Sequence, residues 1–183
     1  MVKCFMKYFI IIILFCSSCK IDQDKNVDRQ KFKFKTGDDT ELFFKNVRQS
    51  YYELEENRQA KFNVFRYAER LKVKDGPMVN PAIVHNYIKD EAYLLIEPND
   101  FLQDQDSLKV KWKALTEEGH MVLASFNHEQ MLEFASQLYE GIRKNASFEV
   151  MKDGQYISVL DTPEERETFR ITMSDYYRLT RIY

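Results

Sequence analysis

The stretch SFEVMKDGQYISVLDTPEE, residues 147–165, carries two unlike signals back to back. Its first part holds two short apolar runs divided by Asp153-Gly154, a dipeptide suited to the tight turn of a β-hairpin. Its end, Thr162-Pro163-Glu164-Glu165, sets Thr and Glu at capping-box spacing with Pro at the first helical position, and so predicts a helix start. Phe169, Met173, Tyr176 and Thr180 then fall on one helical face. The same order stands upstream. LKVKWKA (108–114) alternates, Glu117-Glu118-Gly119 turns and HMVLASF (120–126) returns. Asn127 then caps a helix with Met131, Ala135, Leu138, Tyr139 and Ile142 on its apolar side. The C-terminal half therefore reads ββα-ββα, an antiparallel sheet with helices packed on a face.

The N-terminal half is less regular. KFKFK, Lys31 to Lys35, alternates as a short strand and is closed by Thr36-Gly37-Asp38-Asp39. In residues 40–57, Phe43, Val47, Tyr51 and Leu54 have helical spacing, with Asp39 or Thr40 as the cap, although the aromatics also suit a strand. FKNVRQSYYEL (44–54) echoes FRITMSDYYRL (169–179), which favours helix in both. Each tyrosine pair, Tyr51-Tyr52 and Tyr176-Tyr177, should then bury one ring and leave the other near the rim, because adjacent helical positions face about 100° apart. Phe62, Val64 and Arg66 mark a strand, and 82–97 a hairpin or an interrupted strand. Residues 98–107 form an acidic loop. With 14 Phe and 11 Tyr and no Gly/Ser/Pro-rich linker, residues 31–183 are expected to form a single α+β domain carrying two or three helices.

The three cysteines all fall in the first 19 residues. Lys3 and Lys7, the apolar run Tyr8 to Phe15, and Ser17-Ser18 stand in the order of a secretory signal. The apolar run is too short for a membrane-spanning helix, which takes roughly 20 residues. Cys16-Ser17-Ser18-Cys19 resembles the lipobox of bacterial lipoprotein signal peptides, with Cys16 where that family usually has Leu. The resemblance implies that residues 1–18 are removed and that Cys19 carries fatty-acyl chains, palmitate among them, holding the protein to a membrane of the cell envelope. Residues 19–30 then form a polar tether, spanning on the order of 17–20 Å as a random coil. Lys20 is not the Asp that retains lipoproteins at the enteric inner membrane, so the outer membrane is implied, on its periplasmic or surface face. Removing Lys3 and Lys7 with the signal lowers the 27 basic residues by two against 29 acidic ones, a net charge of −4. Such a domain has no global attraction to nucleic acid or to an anionic membrane. It also has no cysteine left for disulfides, thiolate metal sites or a Cys nucleophile.

Catalytic patterns are sparse. His128-Glu129 opens an HExxH-like run, but the fifth position is Leu132, so the second zinc ligand is missing. His85 and His120 are scattered, and Ser125 and Ser158 lie in apolar strands rather than in a G-x-S-x-G turn. Asp90-Glu91 and Glu97 are the acids placed to form a glycosidase pair. Lysines alternating in KFKFK and KVKWK present a basic face to headgroups or acidic glycans, or simply deter edge pairing. Trp112, opposite them, is expected in the core. Asp106-Ser107-Leu108 resembles the short O-glycosylation sequon of the Bacteroidota, which would place a sugar on Ser107. No catalytic, metal or cofactor site is assigned. The expected function is a non-catalytic binding or assembly module acting on an envelope protein or glycan. The alternatives are a polysaccharide hydrolase using a carboxylate pair, or a lipid-anchored immunity or inhibitor protein.

Overall fold

The computed structural model describes residues 34–103 and 105–183. Cys19, the tether and Lys31–Lys33 of KFKFK lie outside the described residues. The fold is α+β, with two four-stranded antiparallel sheets in place of the one sheet expected. A helix α1 (Asp38–Phe43) runs into a π turn (Phe44–Arg48) and a 3-10 turn (Gln49–Tyr51). The first sheet follows as β1 (Tyr52–Asn57), β2 (Phe62–Tyr67), β3 (Val79–Asn86) and β4 (Glu91–Pro98), in that spatial order. The second sheet is built from β5 (Leu108–Lys113), β6 (Glu118–Leu123), β7 (Ser147–Lys152) and β8 (Gln155–Val159). Its spatial order is β6-β5-β7-β8. The helices α2 (His128–Arg143) and α3 (Pro163–Leu179) follow the two hairpins of that sheet.

Both β6 and β7 run antiparallel to β5, one on each side, so they are parallel to each other and α2 makes the crossover between them. The turn at 153–154 has positive φ at both Asp153 and Gly154, the geometry of the twist-matched hairpin turn. Thr162 and Glu165 form the reciprocal cap expected of them, and the Asn127 side chain accepts from the Gln130 N–H. Pro81, in a central strand, lies one residue past the last β2–β3 pair, Arg66 with Ala82, so its missing N–H leaves no gap in that ladder.

One hydrophobic core joins the two sheets, which makes the described residues a single domain. Helix α2 packs against β4 of the first sheet, β6 of the second, and α3. Helix α3 is enclosed in turn by α2, β3, β4 and the α1–π segment. That enclosure overrides the rim expected for one tyrosine of its pair: Tyr176 and Tyr177 are both fully buried. Each finds a partner, Tyr176 donating to the Ala92 carbonyl at 3.2 Å and Tyr177 to Ser136 Oγ at 2.8 Å. Ser136 in turn donates its hydroxyl proton to the Leu132 carbonyl. Tyr177→Phe therefore leaves no orphaned donor, and a loss of about 1 kcal/mol in chemical denaturation is expected. Ser136→Ala strands the buried phenol, and about 1–3 kcal/mol is expected, so the serine should prove the costlier loss.

Residues 40–57 divide rather than forming one helix. The π turn widens the helical repeat and shifts its phase, so Phe44 is buried while Val47, Tyr51 and Leu54 of the expected face are exposed. The chain then extends as β1 from Tyr52, which is buried against Phe44, Phe65 and Tyr67. Helix α1 begins at Asp38 with Gly37 at the N-cap, not at Asp39 or Thr40.

Candidate functional site

Two strands and one helix build a pocket of roughly 260 Å³ at the end of the second sheet. Trp112 on β5 stands directly across from Gly119 on β6. A Cβ at 119 would sit 2.9 Å from the indole Nε1, so glycine is what lets the ring lie over the neighbouring backbone. Helix α2 supplies the opposite wall through Gln137, Glu140, Gly141 and the C-capping Lys144, a spacing of three, four and seven residues on one face. Gly141 brings that wall close, because a Cβ there would stand 2.6 Å from the Phe148 ring. Lys144 reaches across to Glu117 at 2.6 Å and ties the helix end to the β5–β6 turn.

The lining mixes one half-buried aromatic with polar groups. The Trp112 indole N–H has no acceptor among the described residues, and Gln137 donates its amide to Glu133 while its carbonyl has no donor there. His120 borders the pocket, but strand alternation sends its side chain to the other sheet face, beside Lys111. Such a lining can orient a small polar ligand against an aromatic surface. Gly141→Ala is expected to be net destabilising by about 1–3 kcal/mol, since the buried Phe148 ring must yield to the new methyl group. Comparison of thermal midpoints checks it.

The acids singled out in the sequence are kept apart. Glu91 and Glu97 lie on the same strand six residues from each other, about 20 Å at the usual rise, whereas a glycosidase pair needs about 5–10 Å. Asp90 is in the turn beyond Glu91 with φ of 52°. Glu97 is held by Arg66 through Nε and Nη2, and Arg66 also reaches Glu55 at 2.6 Å. Glu91 bonds the Tyr93 hydroxyl and Lys35 Nζ, and both hold its carboxyl below the usual range. The same Glu91 bond pushes the Tyr93 phenol up to about 12.

The histidines serve separate contacts. His128 stacks on Tyr93 at 3.9 Å, with Phe34 edge-on to its imidazole. His85 Nε2 faces Glu41 at 3.1 Å. Among the described residues no three His, Cys, Asp or Glu side chains converge as metal ligands. Ser125 lies past the end of β6, exposed in the approach to α2, with its N–H bonded to Gln130. Ser158 is on β8, and Ser107 is half-buried in the bend before β5, beside the exposed Asp106. Trp112 packs against the core while its indole edge borders the pocket.

Among the described residues the most enclosed charge is Asp175 on α3. Arg48 Nε stands 2.8 Å from both its oxygens and the Tyr52 hydroxyl donates to Oδ2 at 2.7 Å. Burial raises the Asp175 carboxyl above its ordinary value, although Tyr52 and Arg48 pull the other way. Tyr52 is pushed well up, first by burial and then by the neighbouring carboxylate. With both oxygens occupied and 8% of the side chain exposed, this cluster clasps α3 to the N-terminal segment. Neither it nor the polar face of α2 was picked out from the sequence. The helical spacing of Gln137, Glu140 and Lys144 opposite a Trp–Gly hairpin pair is the signal that could have found the pocket. No protein-family model matches the chain, and no curated protein or solved structure matches it.

Proposed function

We propose that the protein is a lipid-anchored binding module of the bacterial cell envelope, held by acyl chains on Cys19 and engaging an envelope glycan without catalysing a reaction. The supporting observation is the composition of the Trp112 pocket. An aromatic ring, an indole donor, an amide and one charge of each sign suit a neutral polyhydroxylated ligand, whose C–H face packs on the ring while its hydroxyls bond around it. Glu140 is the sole carboxylate in that lining, where glycoside hydrolysis takes two. The anchor is supported by the lipobox-like Cys16-Ser17-Ser18-Cys19 and by the confinement of cysteine to residues 4, 16 and 19. The proposed site of action is the outer membrane.

Trp112 is the only tryptophan in the chain, so its emission reports on the pocket directly. Titration with soluble fragments of envelope polysaccharide is expected to shift that emission in the wild type, with at least a tenfold weaker response in Gln137→Ala, about 1.4 kcal/mol for a lost ligand hydrogen bond. Emission that stays constant for every fragment, while the folded protein captures a stoichiometric envelope protein from solubilised membranes, would replace the glycan with a protein partner. Intact mass tests the anchor: wild type should carry acyl chains that Cys19→Ser lacks, and an unmodified wild-type Cys19 overturns the anchored reading.

A further inference from the structure

The turn between β3 and β4 presents Tyr87 and Ile88 to solvent, 39% and 65% exposed, at the tip of a hairpin. Two large apolar side chains at a loop tip are held there by a definite device. The Asn86 side-chain oxygen accepts from both the Ile88 and the Lys89 N–H at 3.2 Å, and the Asn86 carbonyl accepts from Lys89 again. The Ile88 and Lys89 N–H groups at the apex are thus satisfied from within. Such a turn can enter a poorly hydrated medium without leaving those N–H groups unpaired.

The chain that leads to Cys19 arrives at this same hairpin. The Phe34 carbonyl accepts from the Ala92 N–H at 2.7 Å, the Thr36 N–H donates to the Asp90 carbonyl at 2.9 Å, and Lys35 Nζ reaches the Lys89 carbonyl at 3.0 Å. Lys35 also forms a bridge with Glu91 on the edge of β4. Fifteen residue steps separate Cys19 from Phe34, at most about 54 Å of fully extended chain. A surface within that reach meets the tip at high effective concentration, so a contact too weak to hold a free protein suffices.

We propose that the Tyr87-Ile88-Lys89 turn docks into the interface of the bilayer that carries the Cys19 acyl chains, fixing which way the domain faces. This rests on the anchored reading. Ile88 enters the acyl boundary, Tyr87 takes the headgroup level with its ring, and Lys89 snorkels so that its ammonium stays in water. Lys35 is balanced by Glu91 and Lys89 by the adjacent Asp90, so the contact is apolar in origin and insensitive to salt.

The test uses full-length Ile88→Cys, purified with its acyl chains and reconstituted in vesicles of phosphatidylethanolamine and phosphatidylglycerol. Once Cys19 is acylated and residues 1–18 removed, the cysteine introduced at position 88 is the sole thiol, and a nitroxide placed there reads its surroundings. Leu115→Cys, at a fully exposed position in the β5–β6 turn, is the reference. Collision of the label at 88 with a water-soluble nickel complex is expected to fall on the order of tenfold in vesicles, with oxygen collision rising, at low and high salt alike, while 115 stays unchanged. Intact mass on the same sample separates the failures. Acylated protein whose label at 88 remains as water-accessible as 115 overturns the docking and leaves the anchor standing. Protein without acyl mass overturns both.

Discussion

Arg48→Leu is expected to destabilise the fold by about 3–5 kcal/mol at about pH 7, because it leaves the buried Asp175 carboxylate with only the Tyr52 hydroxyl beside it. The loss should depend on pH in a definite sense. Burial already holds the Asp175 carboxyl above its ordinary value of 3.8, so the folded state grips that proton more tightly than the unfolded chain does. The stability this confers is complete below the unfolded value and disappears as pH rises through the folded one. Removing the guanidinium takes away a charge that pulls the carboxyl downward, so the folded value climbs further and the loss extends to higher pH. Urea unfolding of wild type and variant at about pH 7 and about pH 4 should show the gap between them narrowing in acid. A gap that stays the same at both would mean that Arg48 contributes through packing of its stem and not through its charge.

Phe169→Ala is the second large effect expected. Phe169 is fully buried on α3, in the one core that joins both sheets, and truncating it should cost about 3–5 kcal/mol. Against a typical total of about 5–15 kcal/mol, that brings the variant close to unfolding at room temperature. Trp112 emission follows the second sheet and far-ultraviolet circular dichroism follows the whole chain, so the two transitions should move together to lower urea. Two separated transitions would mean that the sheets unfold independently despite their common core.

The signals that the sequence carried faithfully were local. Asp153-Gly154 set its turn through backbone conformation, Thr162 and Glu165 satisfied each other's N–H groups, and the apolar spacing of α2 and α3 matched their buried faces. Where non-local packing decided, the pattern misled. Phe43, Val47, Tyr51 and Leu54 kept helical spacing, yet the π turn at 44–48 rotated Phe44 into the core instead. The echo between 44–54 and 169–179 did not carry structure with it, since the first copy becomes a strand at Tyr52 and the second stays helical to Leu179. The division into two sheets depends on which strand edges meet α2, and alternation along one strand holds no information on its neighbours. The site was less legible still. Arg48 and Asp175 are 127 residues apart, so no window of the sequence pairs them. The pocket needs Gly119 opposite Trp112 and α2 laid above both, which only the register and the crossover bring about.

Helix α1 and the turns that follow it are held by the C-terminal part of α3 and Arg181 just past it. Arg48 bonds Asp175, the Thr40 hydroxyl lies 2.8 Å from the Leu179 carbonyl, and Asp39 pairs with Arg181. These partners lie 127 to 142 residues further along the chain, so α1 is made long before it has them to bind. During synthesis this segment stays without these partners until Asp175 to Arg181 have been made. Closing so long a loop comes late, and a copy cut short before Asp175 would lack Tyr176, Tyr177 and Leu179 from the core that both sheets share, leaving apolar surface that quality-control proteases can detect.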